Sequence, residues 1–171
     1  MTARDATAAP RRLEEFLQRD HTELDELLRV AVSVATVDLS TYERFRGGLL
    51  RHIGIEEKIL VPFARQAGSE EALAIARQLK LDHAALVALL VPTPTPAIAG
   101  TIQALLAEHN PLEEGEAGFY AICGRVAGGD AEELLRRAQA APEVPLAAHF
   151  DGARAFANID RLLRAAGRRS D

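Results

Sequence analysis

Four segments of this chain carry apolar residues at alternating three- and four-residue spacing, and each of the four stripes contains one histidine. The first runs Leu13, Leu17, His21, Leu24, Leu28, Ala31 and ends near Val37. The second runs Phe45, Leu49, His52, Glu56, Ile59, Phe63, and the third Leu73, Ala76, Leu79, His83, Leu86, Leu90. The fourth runs Ile98, Ile102, Leu105, His109, Leu112, Glu116, Phe119. Such spacing places each set on one face of an α-helix. An apolar helix face must be covered by another element, so four such stripes predict helices packed against one another. No stretch alternates with the period of two that a half-buried strand needs.

The punctuation separates these helices. Pro10 suits a first helical turn, where a missing N–H costs nothing. Ser40 followed by Glu43 reads as a capping box, and Pro62 is expected to kink or end the second helix. Gly68 and Ser69 form the next turn, and Pro92-Thr93-Pro94-Thr95-Pro96 is a stiff connector that no helix crosses. Thr95 then caps the fourth helix, which Gly128-Gly129 breaks. Asp130 with Glu133 opens a short fifth helix. After Pro142 and Pro145 a last helix carries Phe150, Ala153, Phe156 and Leu163 and stops near Gly167. The expected fold is therefore all-α: an up-down four-helix bundle with additional C-terminal helices. Residues 1–10 are expected to be a flexible leading segment. Residues 11–171 are expected to form one helical domain, with the core bundle at about 11–125 and the appendage at about 130–167.

Composition narrows the function classes. The 171 residues carry 25 acidic and 20 basic groups, a formal charge of −5 that offers no basic field for nucleic acid. No run reaches the roughly 18 apolar residues of a membrane helix, and the first ten residues lack the form of a signal peptide. A lone cysteine, Cys123, fits a reducing compartment and reads as a small core residue rather than a nucleophile. The expected location is cytoplasmic, with no nucleic-acid or membrane partner.

The histidines are polar residues on apolar faces. Two of them have a glutamate one turn later, His52 with Glu56 and His109 with Glu113, a spacing that aims both side chains to one side of a helix. The pattern is also doubled. Asp-His-x-x-Leu-x-x-Leu-Leu begins at Asp20 and again at Asp82, and His-x-x-x-Glu-Glu begins at His52 and again at His109. Four imidazoles and two carboxylates converging in a dry core need cations, and two adjacent metals with bridging carboxylates would supply them.

With these residues in view, the chain resembles the hemerythrin-like (HHE cation-binding) domain family over roughly Pro10 to Arg125. That resemblance implies a four-helix bundle around two non-haem iron ions, bridged by carboxylates and an oxo or hydroxo group, that react with dioxygen or another small diatomic or peroxide ligand. It implies His21, His52, Glu56, His83, His109 and Glu113 as metal ligands, with Glu56 and Glu113 bridging. By the repeat, His21 and His52 serve one metal and His83 and His109 the other.

The chain departs from the family pattern in two places. The oxygen carriers have a second histidine one turn away on the third helix, where this chain has Leu79 and Val87. Four histidines leave positions open for redox reactivity or sensing rather than guarded oxygen carriage. Pro111 lies inside the second His-x-x-x-Glu and is expected either to kink the helix or to let Asn110 cap a fresh one, re-aiming Glu113. Glu116 and Tyr120 follow Glu113 on the same face and read as a polar edge, and His149 reads as a surface or interface residue. Residues three before each histidine are Gln18, Leu49, Lys80 and Leu106, which excludes the Glu-x-x-His pairs of ferritin-like centres. The alternative from another class is a helical protein-interaction module with a vestigial or regulatory metal site.

Overall fold

A computed structural model describes the backbone of residues 3–33 and 36–168, and side chains from residue 9 onward. Among the described residues every regular element is helical. The elements are α1 (Ala3–Ala31), α2 (Leu39–Ile55), a π-helical turn (Glu56–Leu60), α3 (Val61–Gln66), α4 (Glu70–Leu89), α5 (Pro96–Glu113), α6 (Phe119–Ala127), a 3₁₀ turn (Gly128–Asp130), α7 (Ala131–Gln139) and α8 (Ala153–Ala165). Among the described residues no helix is long and apolar enough to cross a membrane. Helix α1 packs on α2, α6 and α7, α4 on α5 and α8, and α5 also touches α1.

The stripes are buried as the spacing predicts. Leu13, Leu17, Leu28, Phe45, Leu49, Leu79, Leu86, Ile102 and Leu105 all lie in the core. They divide into two apolar layers. One contains Leu17, Ile55, Leu79 and Ile122, and the other Leu24, Leu49, Leu86 and Leu105. The histidines sit between the layers: His21 falls between Leu17 and Leu24, and His83 between Leu79 and Leu86. Helices α6 and α7 complete the first layer, and α8 completes the second through Ile159 and Leu163.

Several boundaries differ from the sequence reading. Helix α1 begins at Ala3 and runs through Pro10; Met1 and Thr2 of the expected leading segment lie outside the described residues. The cap of α2 is Asp38 rather than Ser40, its carboxylate accepting hydrogen bonds from the N–H groups of Ser40 and Thr41 and from the Thr41 hydroxyl. An aspartate two residues earlier satisfies the same free donors as a serine would. Ser69 and Thr95 cap α4 and α5 through the N–H groups of Ala72 and Ile98. Asp130 stands at the start of α7 without a side-chain cap bond.

Proline acts differently at its two critical positions. Pro62 falls in the first turn of α3, where a missing N–H is tolerated. The preceding turn widens so that the Val61 N–H reaches the carbonyl of Glu56, five residues back. Pro111, by contrast, neither ends nor restarts α5, which is continuous to Glu113. The break comes later. Gly115 has φ +85°, so the chain turns there, and the expected single helix through Phe119 is two helices, α5 and α6. Glu116 is consequently exposed rather than on the inward face. Phe150 precedes α8 and is exposed, and so is Phe156; α8 buries Ile159 and Leu163 instead.

Gly118 makes the turn from α5 to α6 possible. A Cβ there would lie 2.2 Å from the backbone oxygen of Glu114 and 2.5 Å from that of Glu113. Gly118→Ala therefore forces the turn open and should destabilise the protein by about 1–3 kcal/mol. Denaturant unfolding measures this, and an unchanged midpoint would show that the turn adjusts freely.

Candidate metal centre

Each histidine reaches the centre from a different helix: His21 from α1, His52 from α2, His83 from α4 and His109 from α5. Glu56 begins the π turn and Glu113 ends α5. All six are buried, and both glutamates are fully inaccessible. The six residues singled out from the sequence are thus brought together, Glu113 included. Its carboxylate lies 2.9 Å from His109 Nε2, so Pro111 has not turned it away.

The Nε2 atoms face inward and the carboxylates span them. Glu56 places Oε1 3.4 Å from His52 Nε2 and Oε2 3.1 Å from His83 Nε2. Glu113 places Oε2 3.2 Å from His21 Nε2 and Oε1 2.9 Å from His109 Nε2. His21 Nε2 and His52 Nε2 are 2.9 Å apart. Two groups of four donors result, His21, His52, Glu56, Glu113 and Glu56, His83, His109, Glu113, which share both carboxylates. Ligands at metal bond lengths of about 2.1 Å stand about 3.0 Å from one another along the edges of a coordination polyhedron. The spacing here matches those edges. Glu56 Oε2, His83 Nε2 and Glu113 Oε1 are moreover buried without a hydrogen-bond partner, although ring nitrogens and carboxylates lie this close. Atoms near enough to bond but misaligned for a shared proton point at a common space between them. The donor set therefore fits two cations.

The outward nitrogens are equally ordered. Nδ1 of His52 lies 3.1 Å from Asp20 Oδ2, and that of His109 lies 3.3 Å from Asp82 Oδ2. Nδ1 of His83 lies 3.2 Å from Glu57 Oε1, and that of His21 lies 2.6 Å from Glu114 Oε1. Every imidazole is thus gripped from behind by a carboxylate, which fixes the ring and leaves Nε2 as the inward donor. Asp82 is itself held by Gln78 and Arg168, tying the end of the C-terminal helix to the centre. Sequence reasoning assigns these four carboxylates no role. The signal lies in the repeat, because the Asp before His and the second Glu of Glu-Glu recur in both halves.

Tyr120, a polar edge by sequence, is instead buried at the centre. Its hydroxyl donates to Glu56 Oε1 at 2.5 Å and lies 3.0 Å from both His21 Nε2 and His52 Nε2. Glu113 Oε2 is 3.2 Å away. The break at Gly115 carries it there, since α6 folds back against α1. His149 stands apart on the surface strap, 2.6 Å from Glu43. Cys123 is buried in the first apolar layer, its thiol pushed up to about 12 by burial and by Glu56.

The charges are strongly coupled. Burial opposes a charged ring, yet Glu56 and Asp20 raise His52 to about 10. In the same way Glu113, Glu56 and Glu57 raise His83 to about 11, and Asp82 and Glu113 raise His109 to about 9. Burial opposes ionised carboxylates too, but the surrounding imidazoles hold Glu113 well below its ordinary value and lower Glu56. Tyr120 is driven well above 10 by burial and by the two glutamates, and so serves as a neutral donor.

No family model, no curated protein and no solved structure matches the chain.

This geometry sets two expected outcomes. Tyr120→Phe removes a donor from a buried carboxylate and should cost the chelator-treated protein about 1–3 kcal/mol in denaturant unfolding; an equal stability would show the hydroxyl to be idle. The second concerns pH. Imidazoles whose affinity for protons is raised stabilise the fold fully below 6.5, and that stability is lost as pH climbs through about 9 to 11. Lowered carboxylates contribute above 4.5 and cease to as pH falls below it. The chelator-treated protein should therefore melt highest between 4.5 and 6.5 and lose stability in alkali. A midpoint flat from 6.5 to 9 would contradict the coupling.

Proposed function

We propose that this protein is a hemerythrin-like, non-haem di-iron protein that reacts with dioxygen or a related small molecule in sensing, redox or oxygen and iron handling. On this reading α1, α2, α4 and α5 form an up-down four-helix bundle, each giving one histidine, with α6 to α8 appended. The observation that carries the reading is the convergence of six buried donor residues at coordination spacing, with three of their atoms lacking a hydrogen-bond partner. His21 and His52 would hold one ion, His83 and His109 the other, and Glu56 and Glu113 both. Four imidazoles and two carboxylates suit iron and its neighbours rather than calcium or magnesium, which take oxygen ligands.

A di-iron pair in such a setting supplies electron transfer and Lewis acidity. The chain's own residues supply the rest. Asp20, Glu57, Asp82 and Glu114 hold each imidazole in one orientation and one tautomer, and Tyr120 steadies Glu56 by donating to it. Glu56 and Glu113 offset part of the charge of the cations. The apolar layers above and below exclude water from both faces of the polar layer. Two imidazoles and two shared carboxylates would hold each ion and would leave room for a small molecule to bind beside them.

Metal analysis of protein loaded with ferrous iron in air should give two irons per chain with the near-ultraviolet absorption of a bridged diferric pair. One firmly held ion, or none, would overturn the reading. Glu56→Gln keeps the shape of the side chain but removes the bridging charge, so iron should be lost. The chelator-treated variant should unfold at lower denaturant than wild type, since Glu56 is the buried counter-charge of His52 and His83 and its loss leaves those rings uncompensated. Retention of two irons with an unchanged spectrum would remove Glu56 from the centre.

A further inference from the structure

The two halves of the centre are not equally accessible. A pocket of about 470 Å³ opens between α3 and α4, and its floor is formed by Glu56 and His83. On the other side, the cavity that reaches His21, His52 and His109 is about 110 Å³. That half also receives the Tyr120 hydroxyl. The broad approach therefore leads to His83 and Glu56.

The chemistry of the wide pocket is one-sided. Arg65 from α3 and Arg77 and Lys80 from α4 line it together with Glu57. Arg77 and Lys80 stand three residues apart, and Lys80 three before His83, so one face of α4 carries both cations and the histidine. Among the described residues, none of the three cations forms an ion pair. They share this with other surface cations such as Arg19, Arg44 and Lys58; what sets them apart is that they line one pocket. Glu57, the acid at this mouth, is engaged with His83 Nδ1 at 3.2 Å. In a chain with formal charge −5, three unpartnered cations thus surround one opening. At the floor, Glu56 Oε2 and His83 Nε2 are buried without hydrogen-bond partners, so the pocket ends at donors that await something.

We propose that this pocket admits a small anion to the centre at His83, and that Arg65, Arg77 and Lys80 select it by charge. The proposal rests on the di-metal reading above. A neutral diatomic molecule gains nothing from three cations. A compact monoanion, such as a carboxylate or an oxoanion, does gain from them. Cations of one sign around a cleft raise the local anion concentration and speed its arrival by about 10- to 1,000-fold, an advantage that salt erodes. The anion would then meet a metal pair whose positive charge Glu56 and Glu113 only partly offset.

The test uses the full chain loaded with iron, with azide as the anionic probe and nitric oxide as the neutral one. Azide is titrated into the oxidised protein by its charge-transfer absorption, and nitric oxide into the reduced protein. In the triple variant Arg65→Gln/Arg77→Gln/Lys80→Gln, azide affinity should fall about tenfold or more. Iron content and nitric oxide affinity should stay as in wild type. Added salt should weaken azide binding in wild type more than in the variant. All three side chains are exposed, so folding should be unaffected, and the iron content reports on that directly. Equal azide affinity in the two proteins, or an equal loss for azide and nitric oxide, would overturn the proposal while leaving the di-iron reading intact. A wild-type protein that takes up no iron would overturn both, and the iron analysis distinguishes that case.

Discussion

Burying four imidazoles and two carboxylates in one layer is the constraint on which the rest of this molecule is built. Each ring has two nitrogens, and neither can be left dry and unpaired without cost. The chain resolves this by turning every Nε2 inward and giving every Nδ1 a carboxylate. The partners form a closed circuit. Asp20 on α1 holds His52 on α2; Glu57, beyond α2, holds His83 on α4; Asp82 on α4 holds His109 on α5; Glu114, beyond α5, holds His21 on α1. Each hydrogen bond ties one segment to the next, and the last returns to the first. The circuit sets which helices are neighbours as well as how the rings point.

The same layer interrupts the core. Two apolar clusters lie above and below it, and each must be large enough to hold the helices together across a band of charge. The short C-terminal helices make sense in this light. Helices α6 and α7 enlarge one cluster, α8 enlarges the other, and Arg168 just beyond α8 neutralises the buried Asp82. An appendage that reads as an afterthought in the sequence serves the two parts of the core that the polar layer divides.

Much of this is legible in the sequence, and the features that escape it have identifiable causes. Helical periodicity finds all four histidine-bearing helices because each buries a broad stripe. It also carries His21, His52, Glu56, His83, His109 and Glu113 to one place, since polar residues on such stripes have nowhere else to go. Periodicity fails where a backbone break interrupts a continuing pattern. Leu112, Glu116 and Phe119 keep helical spacing across Gly115, although the helix ends where Glu114 becomes extended and Gly115 takes a positive φ. Spacing also places Phe150 in a helix that begins only at Ala153, because the strap before it is held by hydrogen bonds that leave no periodic trace. The Phe150 N–H donates to the Val91 carbonyl, and the Ala147 carbonyl accepts from Arg46. Pro111 matters less than its place inside the motif suggests. Only two residues remain between it and the end of α5, so little helix depends on the bond it removes.

The repeat itself misleads in one respect, because a doubled motif suggests two equivalent halves. The motifs are alike through Glu-Glu and diverge immediately after it. Beyond Glu56-Glu57 the chain continues as a π turn and α3, leaning on α4 and leaving a pocket over His83. Beyond Glu113-Glu114 it turns at Gly115 and returns as α6, delivering Tyr120 into the group that contains His21 and His52. One continuation leaves a wide pocket over His83, and the other sets a hydroxyl beside His21 and His52. On the di-metal reading proposed here, symmetry in the donors would place two cations side by side. Asymmetry in the two short segments beyond them surrounds the two donor groups differently, and on that reading it would decide from which side a ligand approaches.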